Sequence, residues 1–499
     1  LTDNTSFYYP INVMYRMTIM VWCYEEMKKE GVDTIFAYPG GMVVNLLDAL
    51  HDCHSIDLVL PRHEQGLIHA ADGYARATGK VGVCLVTSGP GATNLVTGIA
   101  TANYDSIPLV CFTGQVAEDL IGNDAFQEVD IVGITRNVAK FVIMVRDREM
   151  LAQRIKEAFY IARSGKPGPV LVDLPTDVMA ELGSTSYPTE VNIRGYKPNK
   201  GVHVGQLKKA IALMEEARKP MFLIGGGVNL AHAQEEMTEL CEKLNVPVIT
   251  TVMGRGAIPT DHPLYIGNIG MHGSYAANKT ADECDLMFSI GCRFNDRVTG
   301  NVAKFAPHAK IVHIDIEAAA ISRNVTVDIP IVADAKMAIR KILDHTEPME
   351  HKEWIEEVKG WDKEHPLGIQ VKAGVNPQCI METLNKVYAD RDTIYTSDVG
   401  QHQMFTAQFA EITEKKQLLM SGGLGTMGYG LGAALGAKTG RPEKTVVNIA
   451  GDGCFRMNMN EIATAARYQI PVIQVVVNNH VLGMVRQWQN LFYGGRYSA

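Results

Sequence analysis

Surplus positive charge is the first thing this 499-residue chain lacks: 47 Lys and Arg stand against 55 Asp and Glu, a formal net charge of -8. A nucleic-acid or anionic-membrane partner is thereby disfavoured, because no basic excess is left to neutralise phosphates. Long apolar runs are missing too. None reaches the ~18 residues that a membrane span needs. The most apolar early stretch, 11–24, is short and interrupted by Arg16, and reads as a core helix rather than a signal peptide. A targeting segment removed ahead of Leu1 stays open. The nine Cys show no CxxC pair and no regular spacing. That argues against a disulfide framework or a zinc site and for free thiols in a reducing compartment, the cytoplasm or an organelle. Low-complexity tracts are also absent, and the 46 Gly gather at the ends of predicted strands.

What is present is an alternation of Val- and Ile-rich runs with helical patterns. VGVCLVTSG, PLVCFTG, PVLVDLP, PMFLIGGG, VPVITT, DLMFSIG, KIVHIDI, TVVNIAGDG and PVIQVVVNN each read as a buried strand closed by Gly or polar residues. Continuous apolar strands belong to sheets covered on both faces, which means parallel α/β layers. Two polar segments, 184–203 and 345–368, read as linkers. The expected architecture is three doubly wound parallel-sheet domains at 1–188, 189–350 and 351–499. The third reads as incomplete at its C-terminus, with fewer strands than the first.

The chemistry concentrates at strand ends. One strand runs into Gly451-Asp452-Gly453, and the next, one crossover later, runs into Asn478-Asn479. Both polar groups would emerge at carboxyl ends of parallel strands, where open α/β sheets bind ligands. A carboxylate, an amide oxygen and a carbonyl suit Mg²⁺, with phosphate oxygens completing its shell. The competing reading is that Asp452 and the Asn pair only cap loops. Upstream, Gly423 to Gly428 satisfies GxGxxG, which alone would suggest a nicotinamide dinucleotide.

Taken together, the GDG and the double Asn resemble the thiamine-diphosphate enzymes. The resemblance implies that Asp452, Asn479 and the carbonyl of Val481 hold the metal, and that Met427 bends the cofactor from below. Glu64 follows the strand-like IDLVLP in the string RHEQ. By itself it is a helix-start acid favoured by the macrodipole. Within the family, a buried carboxylic acid protonates the cofactor's aminopyrimidine ring, and a raised pKa in an apolar site suits that task. The resemblance further implies at least a dimer, because Glu64 and the metal then meet across a subunit interface.

More specifically, the chain is similar to acetohydroxyacid synthase (acetolactate synthase) catalytic subunits. The strings that carry this are YPGG, RHEQ, ARATGKVGVCLVTSGPGATNLVTGIATA, DAFQE, SGKPGPVLVDLP, GMHG, RFNDRVTG, KIVHIDI, VGQHQM, SGGLGTMGYGL and GMVRQWQ. By that likeness the three domains bind the thiamine pyrimidine, FAD and the diphosphate in turn. Glu64, Gly41, Gln127 and Lys140 form the catalytic group. Gly400, Gln401, His402, Gly425, Met427, Asp452, Gly453, Cys454 and Asn479 touch the diphosphate cofactor. Arg297 would grip the second keto acid's carboxylate, since fixed guanidinium donors suit that task. Phe126, Met484 and Trp488 would border its channel, Trp488 favouring 2-ketobutyrate over pyruvate. A structural FAD would lie along Gly226, Thr251, Met271, His272, Arg293, Asp315 and Asp334. Without the resemblance, Arg297 and Lys140 read as salt-bridge residues and Trp488 and Phe126 as core filling.

Seven features depart from the family pattern: the start at 1–24, Met42, Phe141, Lys166, Thr176, Arg255 and Asn295. They bear on rate, specificity and flavin occupancy. Implied partners are 2-keto acids, a second copy or a tetramer of this chain, and a small regulatory subunit. Three alternatives stay open: a pyruvate oxidase, a nicotinamide-dependent dehydrogenase, and a non-catalytic assembly subunit.

Overall fold

Strands such as Gly82–Val86 and Pro169–Pro175 are buried along their whole length, so helices must cover both faces of their sheet. The computed structural model describes residues 27–51, 54–180, 188–199, 201–369 and 375–498. The early apolar stretch at 11–24 lies outside these. The chain groups into two compact units. The first takes the residues up to Lys197 together with Gly423–Val476, and the second takes Pro198–Gly422 with Val477–Ala499.

In the first unit, β1 (Thr34–Tyr38), β2 (Asp57–Val59), β3 (Gly82–Val86), β4 (Leu109–Gln115), β5 (Phe141–Met144) and β6 (Pro169–Pro175) form one sheet. Its order is β2-β1-β3-β4-β6-β5, and every pairing is parallel. The strand order reverses between β1 and β3, which opens a crevice at their carboxyl ends. In the second unit, β7 (Pro220–Ile224), β8 (Val248–Thr250), β9 (Tyr265–Asn268), β10 (Leu286–Ile290), β11 (Lys310–Asp315) and β12 (Ile329–Val332) build a second parallel sheet. Its order, β12-β11-β10-β7-β8-β9, is the 3-2-1-4-5-6 arrangement of dinucleotide-binding sheets, with the reversal between β7 and β10. Four further strands follow. β13 (Thr393–Ser397) pairs in parallel with β14 (Lys416–Met420), and β15 (Thr445–Gly451) neighbours β16 (Ile473–Val477). The nine apolar runs read from the sequence all become strands, and the α/β class with parallel sheets stands.

Phe112 and Phe159 fill the first unit's core, Phe36 packs edge-on against Tyr74 at 6.1 Å, and Phe222 meets Phe288 edge-on at 5.7 Å in the second unit's core. Burial of each such side chain contributes roughly 1.5–3 kcal/mol. One segment differs from expectation. Residues 345–368 are not a linker throughout: Lys352–Glu364 forms a helix whose Trp354, Ile355 and Val358 are buried. Those positions make a narrow apolar stripe that the surrounding charges mask in the sequence. The Trp354 indole N–H donates to the carbonyl of Pro220 at 2.9 Å. Among the described residues, no helix is long and apolar enough to cross a membrane. The seven described Cys are all free.

Candidate functional site

In the first unit, the carboxyl edge of the sheet gathers the Gly-rich turns around Glu64. Helix α1 (Glu64–Thr78) begins directly after the β2 loop, capped by the His63 side chain, which accepts from the Gln65 N–H at 3.1 Å. Glu64 is 9% exposed, and its Oε2 accepts from the Asn94 amide at 2.9 Å. Asn94 was not singled out in the sequence, although it lies in the quoted SGPGATN string one turn beyond the β3 end. A Cβ on Gly91 would stand 3.6 Å from Glu64 Oε1. Gly40 packs so closely on Thr87 that a Cβ there would come within 2.4 Å of the Thr87 side chain. The Thr87 hydroxyl in turn accepts from the Met42 N–H at 3.4 Å. The turn at Gly40 and Gly41 therefore lies beside the turn at Ser88 to Gly91, across the strand reversal. Gln127, at φ 60, lies against Gly89, while Phe126 is 83% exposed.

Helix α2 (Tyr429–Gly440) packs on α1 with almost no side-chain spacer. A Cβ on Gly436 would fall 1.7 Å from the carbonyl oxygen of Ala70. A buried charge cluster fixes this crossing. Arg76 meets Asp72 at 2.6 Å and Asp105 at 2.9 Å, and the Tyr429 hydroxyl donates to Asp72 at 2.7 Å. Asp105 also accepts from the Gly423 N–H at 2.8 Å. Pairing within the cluster repays the desolvation of its charges. Thr426 bonds to Thr101 at 2.7 Å. The turn that carries Gly425 and Met427 is thus tied to the elements that carry Glu64. Asp452 then opens a helix, Asp452–Asn458, with Gly453 and Cys454 in its first turn. Its last residue donates to the Gly428 carbonyl at 2.6 Å.

Lys140 is committed elsewhere in this unit. Its ammonium donates to the carbonyls of Ile161 and Ser164 and to the Tyr196 hydroxyl, at the end of the helix Leu151–Arg163. That is the place where a helix dipole favours a cation.

The second unit carries the other expected residues. Met271 and Arg297, from the two distinctive strings GMHG and RFNDRVTG, are in contact: the Met271 N–H donates to the Arg297 carbonyl at 3.0 Å. Burial, then the nearby Arg297 charge, pulls the His272 pKa down. Asn295 caps the short helix Asp296–Thr299 through its side-chain oxygen. An Asp would do the same, so this departure costs little. Arg255, another departure, is 6% exposed and donates to the Tyr265 hydroxyl at 2.9 Å and to the Ala410 carbonyl.

The helix Gln401–Phe409 follows Gly400 and presents Gln401, whose amide donates to Gln487 at 3.1 Å. Gln487 is a second residue that the sequence did not flag. It belongs to the helix Gly483–Phe492, which also bears Met484 and Trp488. His402 is buried. Asn479 accepts from the Val481 N–H at 3.1 Å, with His480 at φ 59 between them. A Cβ on Gly483 would stand 2.2 Å from Gln401 Oε1 and 3.1 Å from the Asn479 amide.

The expected flavin residues follow the carboxyl edge of the second sheet. Gly226 follows β7, Thr251 follows β8, Arg293 follows β10, Asp315 ends β11, and Asp334 follows β12 as cap of the helix Ala335–Leu343. At the strand reversal the backbones nearly touch, because a Cβ on Gly225 would lie 2.0 Å from the carbonyl oxygen of Gly291.

Comparison with known proteins identifies the family. Three family profiles match: the N-terminal TPP binding domain of thiamine pyrophosphate enzymes at 17–134, their central domain at 207–342, and their C-terminal TPP binding domain at 398–499. The acetolactate synthase isozyme 3 large subunit of Escherichia coli (strain K12) is 47% identical over 479 residues, 94% of this chain and 83% of the relative. The probable acetolactate synthase large subunit of Methanocaldococcus jannaschii is 48% identical over 484 residues, 95% of this chain and 82% of the relative. The acetolactate synthase large subunit of Corynebacterium glutamicum is 47% identical over 491 residues, 97% of this chain and 78% of the relative. Matched at such identity along nearly all its length, the chain belongs to the acetolactate synthase large-subunit family of thiamine-pyrophosphate enzymes.

Proposed function

We propose that the chain is an acetohydroxyacid synthase catalytic subunit, joining pyruvate to a second pyruvate or to 2-ketobutyrate with loss of carbon dioxide. The observation that carries this reading is the buried Glu64 carboxyl, held by Asn94 at the mouth of Gly-rich turns on the sheet's carboxyl edge. Thiamine diphosphate, when bound, supplies a carbon nucleophile and an electron sink. The rest falls to the protein. Glu64 holds and passes a proton at its carboxyl, and Asn94 fixes which oxygen is free to do so. Gly40, Gly41, Gly89 and Gly91 let the backbone come close to a ring system. Gly425 and Met427 lie on a turn tied to the same helices.

The donor set fits Mg²⁺. Asp452, the Asn479 amide oxygen and the Val481 carbonyl are hard oxygen ligands, and the Asn479 amide oxygen already accepts from the Val481 N–H within a tight turn. Gln401 and His402 would meet the diphosphate. Arg297 would bind the carboxylate of the second keto acid, with Trp488 and Met484 lining its side-chain pocket and Phe126 and Gln127 bordering the approach. Lys140 is left out of the catalytic group, since its ammonium is taken up by the helix end. The 3-2-1-4-5-6 order of the second sheet supports FAD binding along Gly226, Thr251, Met271, His272, Arg293, Asp315 and Asp334. The GxGxxG at 423–428, by contrast, precedes α2 in the other unit.

The reading extends to domains at 1–188, 189–350 and 351–499, a homodimer or homotetramer with shared sites, a small regulatory subunit and a reducing compartment, the cytoplasm or an organelle. Seven free thiols favour the last. The test is pyruvate turnover with and without thiamine diphosphate, Mg²⁺ and FAD, assaying acetolactate, acetaldehyde and peroxide together. Acetolactate that depends on thiamine and Mg²⁺ is expected. Peroxide would move the chain to the oxidases, and bound cofactor with no product would mark an assembly subunit.

A further inference from the structure

The first unit holds a carboxylate that this chemistry does not use. Glu461 precedes the helix Ile462–Tyr468 and is fully buried. Its Oε1 accepts from the N–H of Arg62 at 3.0 Å and of His63 at 3.1 Å. Its Oε2 accepts from the Arg62 N–H at 3.1 Å and from the Thr464 hydroxyl at 2.6 Å. At the other end of the same helix, the Tyr468 hydroxyl accepts from the Leu60 N–H at 3.0 Å. Two anchors thus hold the short segment 60–63, which lies between β2 and Glu64. Gly66, in the first turn of α1, leaves room for this grip, since a Cβ there would be 2.4 Å from Glu461 Oε1. Burial pushes the Glu461 carboxyl up, and the donors from Thr464, Arg62 and His63 pull it back.

The backbone N–H groups at a helix start otherwise lack partners, and an anion there is favoured by the dipole as well. Here that anion comes from a segment some 400 residues away in sequence, just beyond the Gly451–Gly453 turn. We propose that Glu461 is a positioning residue for Glu64: its carboxylate fixes the Arg62 and His63 amides and so sets the point from which the Glu64 side chain is presented. The inference rests on Glu64 being the proton-transfer acid. Asn94 holds the carboxyl end of that side chain, and Glu461 holds its root. Displacement of a reacting group by about 1 Å costs on the order of a hundredfold in rate.

The experiment uses the full chain as Glu461→Gln, Glu64→Gln and the double variant. Two quantities are measured: acetolactate formation with cofactors, and backbone hydrogen exchange of the cofactor-free protein. In Glu461→Gln, exchange at 60–66 should rise about tenfold, the size expected for one lost hydrogen bond, with the remaining segments unchanged. Its kcat should fall about a hundredfold while the pyruvate KM stays near wild type. The double variant should be no slower than Glu64→Gln alone, because a residue acting through another adds nothing once that one is gone. Losses that multiply in the double variant would overturn the proposal, as would unchanged exchange at 60–66. A Glu64→Gln protein with full activity would instead defeat the reading of Glu64, and raised exchange would then leave Glu461 a purely structural anchor. If Glu461→Gln does not fold, Tyr468→Phe removes the outer anchor and reads the same quantities.

Discussion

The guanidinium of Arg297 lies over the Trp488 ring, 5.7 Å from its centroid, although the two residues belong to separate stretches of the second unit's sequence. Trp488 also meets Phe492 edge-on at 5.9 Å. A cation seated on an aromatic face keeps its planar donors free to point outward. Both side chains remain partly exposed, at 55% for the Arg297 side chain and 41% for Trp488. The pair therefore sets a guanidinium beside an apolar surface, a combination that suits the proposed binding of a short 2-keto acid.

Trp488→Leu should shrink the apolar surface and lower the preference for 2-ketobutyrate over pyruvate by about tenfold, the scale set by one methylene in a pocket. Total turnover should fall less. Arg297→Lys should raise the apparent KM for the second keto acid, because an ammonium cannot reproduce the bidentate grip. Competition assays with both acids present check these. A selectivity ratio that does not move would take Trp488 out of the pocket.

Glu64→Gln keeps the shape of the side chain and the contact with Asn94 but removes the acidic proton. Acetolactate formation should drop by about 10² to 10⁴, while thiamine diphosphate still binds. Equilibrium dialysis and initial rates on the same preparation separate the two effects. Asn94→Ala should cost less, since it frees the carboxyl without deleting it.

How much of this was legible in the sequence follows from the range of each interaction. Asp452, Asn479 and Glu64 stand out because each closes an apolar run, and strand ends are local signals. GMHG and RFNDRVTG were singled out separately, and their adjacency through Met271 and Arg297 needed the fold. Glu461 gave no signal, and Gln487, although inside the quoted GMVRQWQ string, gave none of its own. Each sits at an ordinary helical position, and its importance comes only from partners at Arg62 or Gln401. The short strands β5, β9 and β12 were not marked in the sequence either, because runs of four residues give little periodicity to read. The helix Lys352–Glu364 was mistaken for a linker because charge outweighed three buried apolar positions.

Asp173 sets a pH dependence of stability. Burial pushes its carboxyl up from 3.8 to about 7, against the pull of hydrogen bonds from Thr113 at 2.6 Å and Gln115 at 3.2 Å. Between about pH 4 and pH 7 the folded chain holds a proton that the unfolded chain has released. Stability should therefore fall as pH rises through that window and level off above it, by on the order of 4 kcal/mol as an upper bound. Buried His69 and His313, held down to about 3 and 4, act in the opposite sense below pH 6.5, but equally in wild type and variant. Asp173→Asn removes only the first effect. Its melting temperature should gain on wild type from pH 5 to about pH 7 and hold level with it above that, whatever constant offset the altered hydrogen bonds introduce. Parallel curves would mean that the native carboxyl is already ionised at pH 5.

Gly225 and Gly226 stand side by side after β7 but should respond differently to the same added methyl. At Gly225 the new Cβ would meet backbone, 2.0 Å from the Gly291 oxygen and 2.7 Å from the Cys292 Cα, and backbone cannot swing aside. The carboxyl ends of β7 and β10 would be forced apart at the strand reversal. Gly225→Ala should therefore destabilise the fold by about 1–3 kcal/mol, the usual cost of overpacking, and lower the flavin content with it. At Gly226 the Cβ would meet the Met253 Cβ at 3.2 Å and the Met253 carbonyl oxygen at 3.4 Å, so this turn has to give by only a few tenths of an ångström, far less than Gly225 demands. Gly226→Ala should therefore lower the melting temperature of the flavin-free protein less than Gly225→Ala does, while weakening flavin binding, because the proposed flavin site runs along this turn. Thermal melts of stripped protein, with flavin titrations read by fluorescence quenching, distinguish the two. Undiminished flavin affinity in Gly226→Ala would show that the flavin does not run over this turn, and an unshifted melt for Gly225→Ala would show that the two strand ends are not in contact.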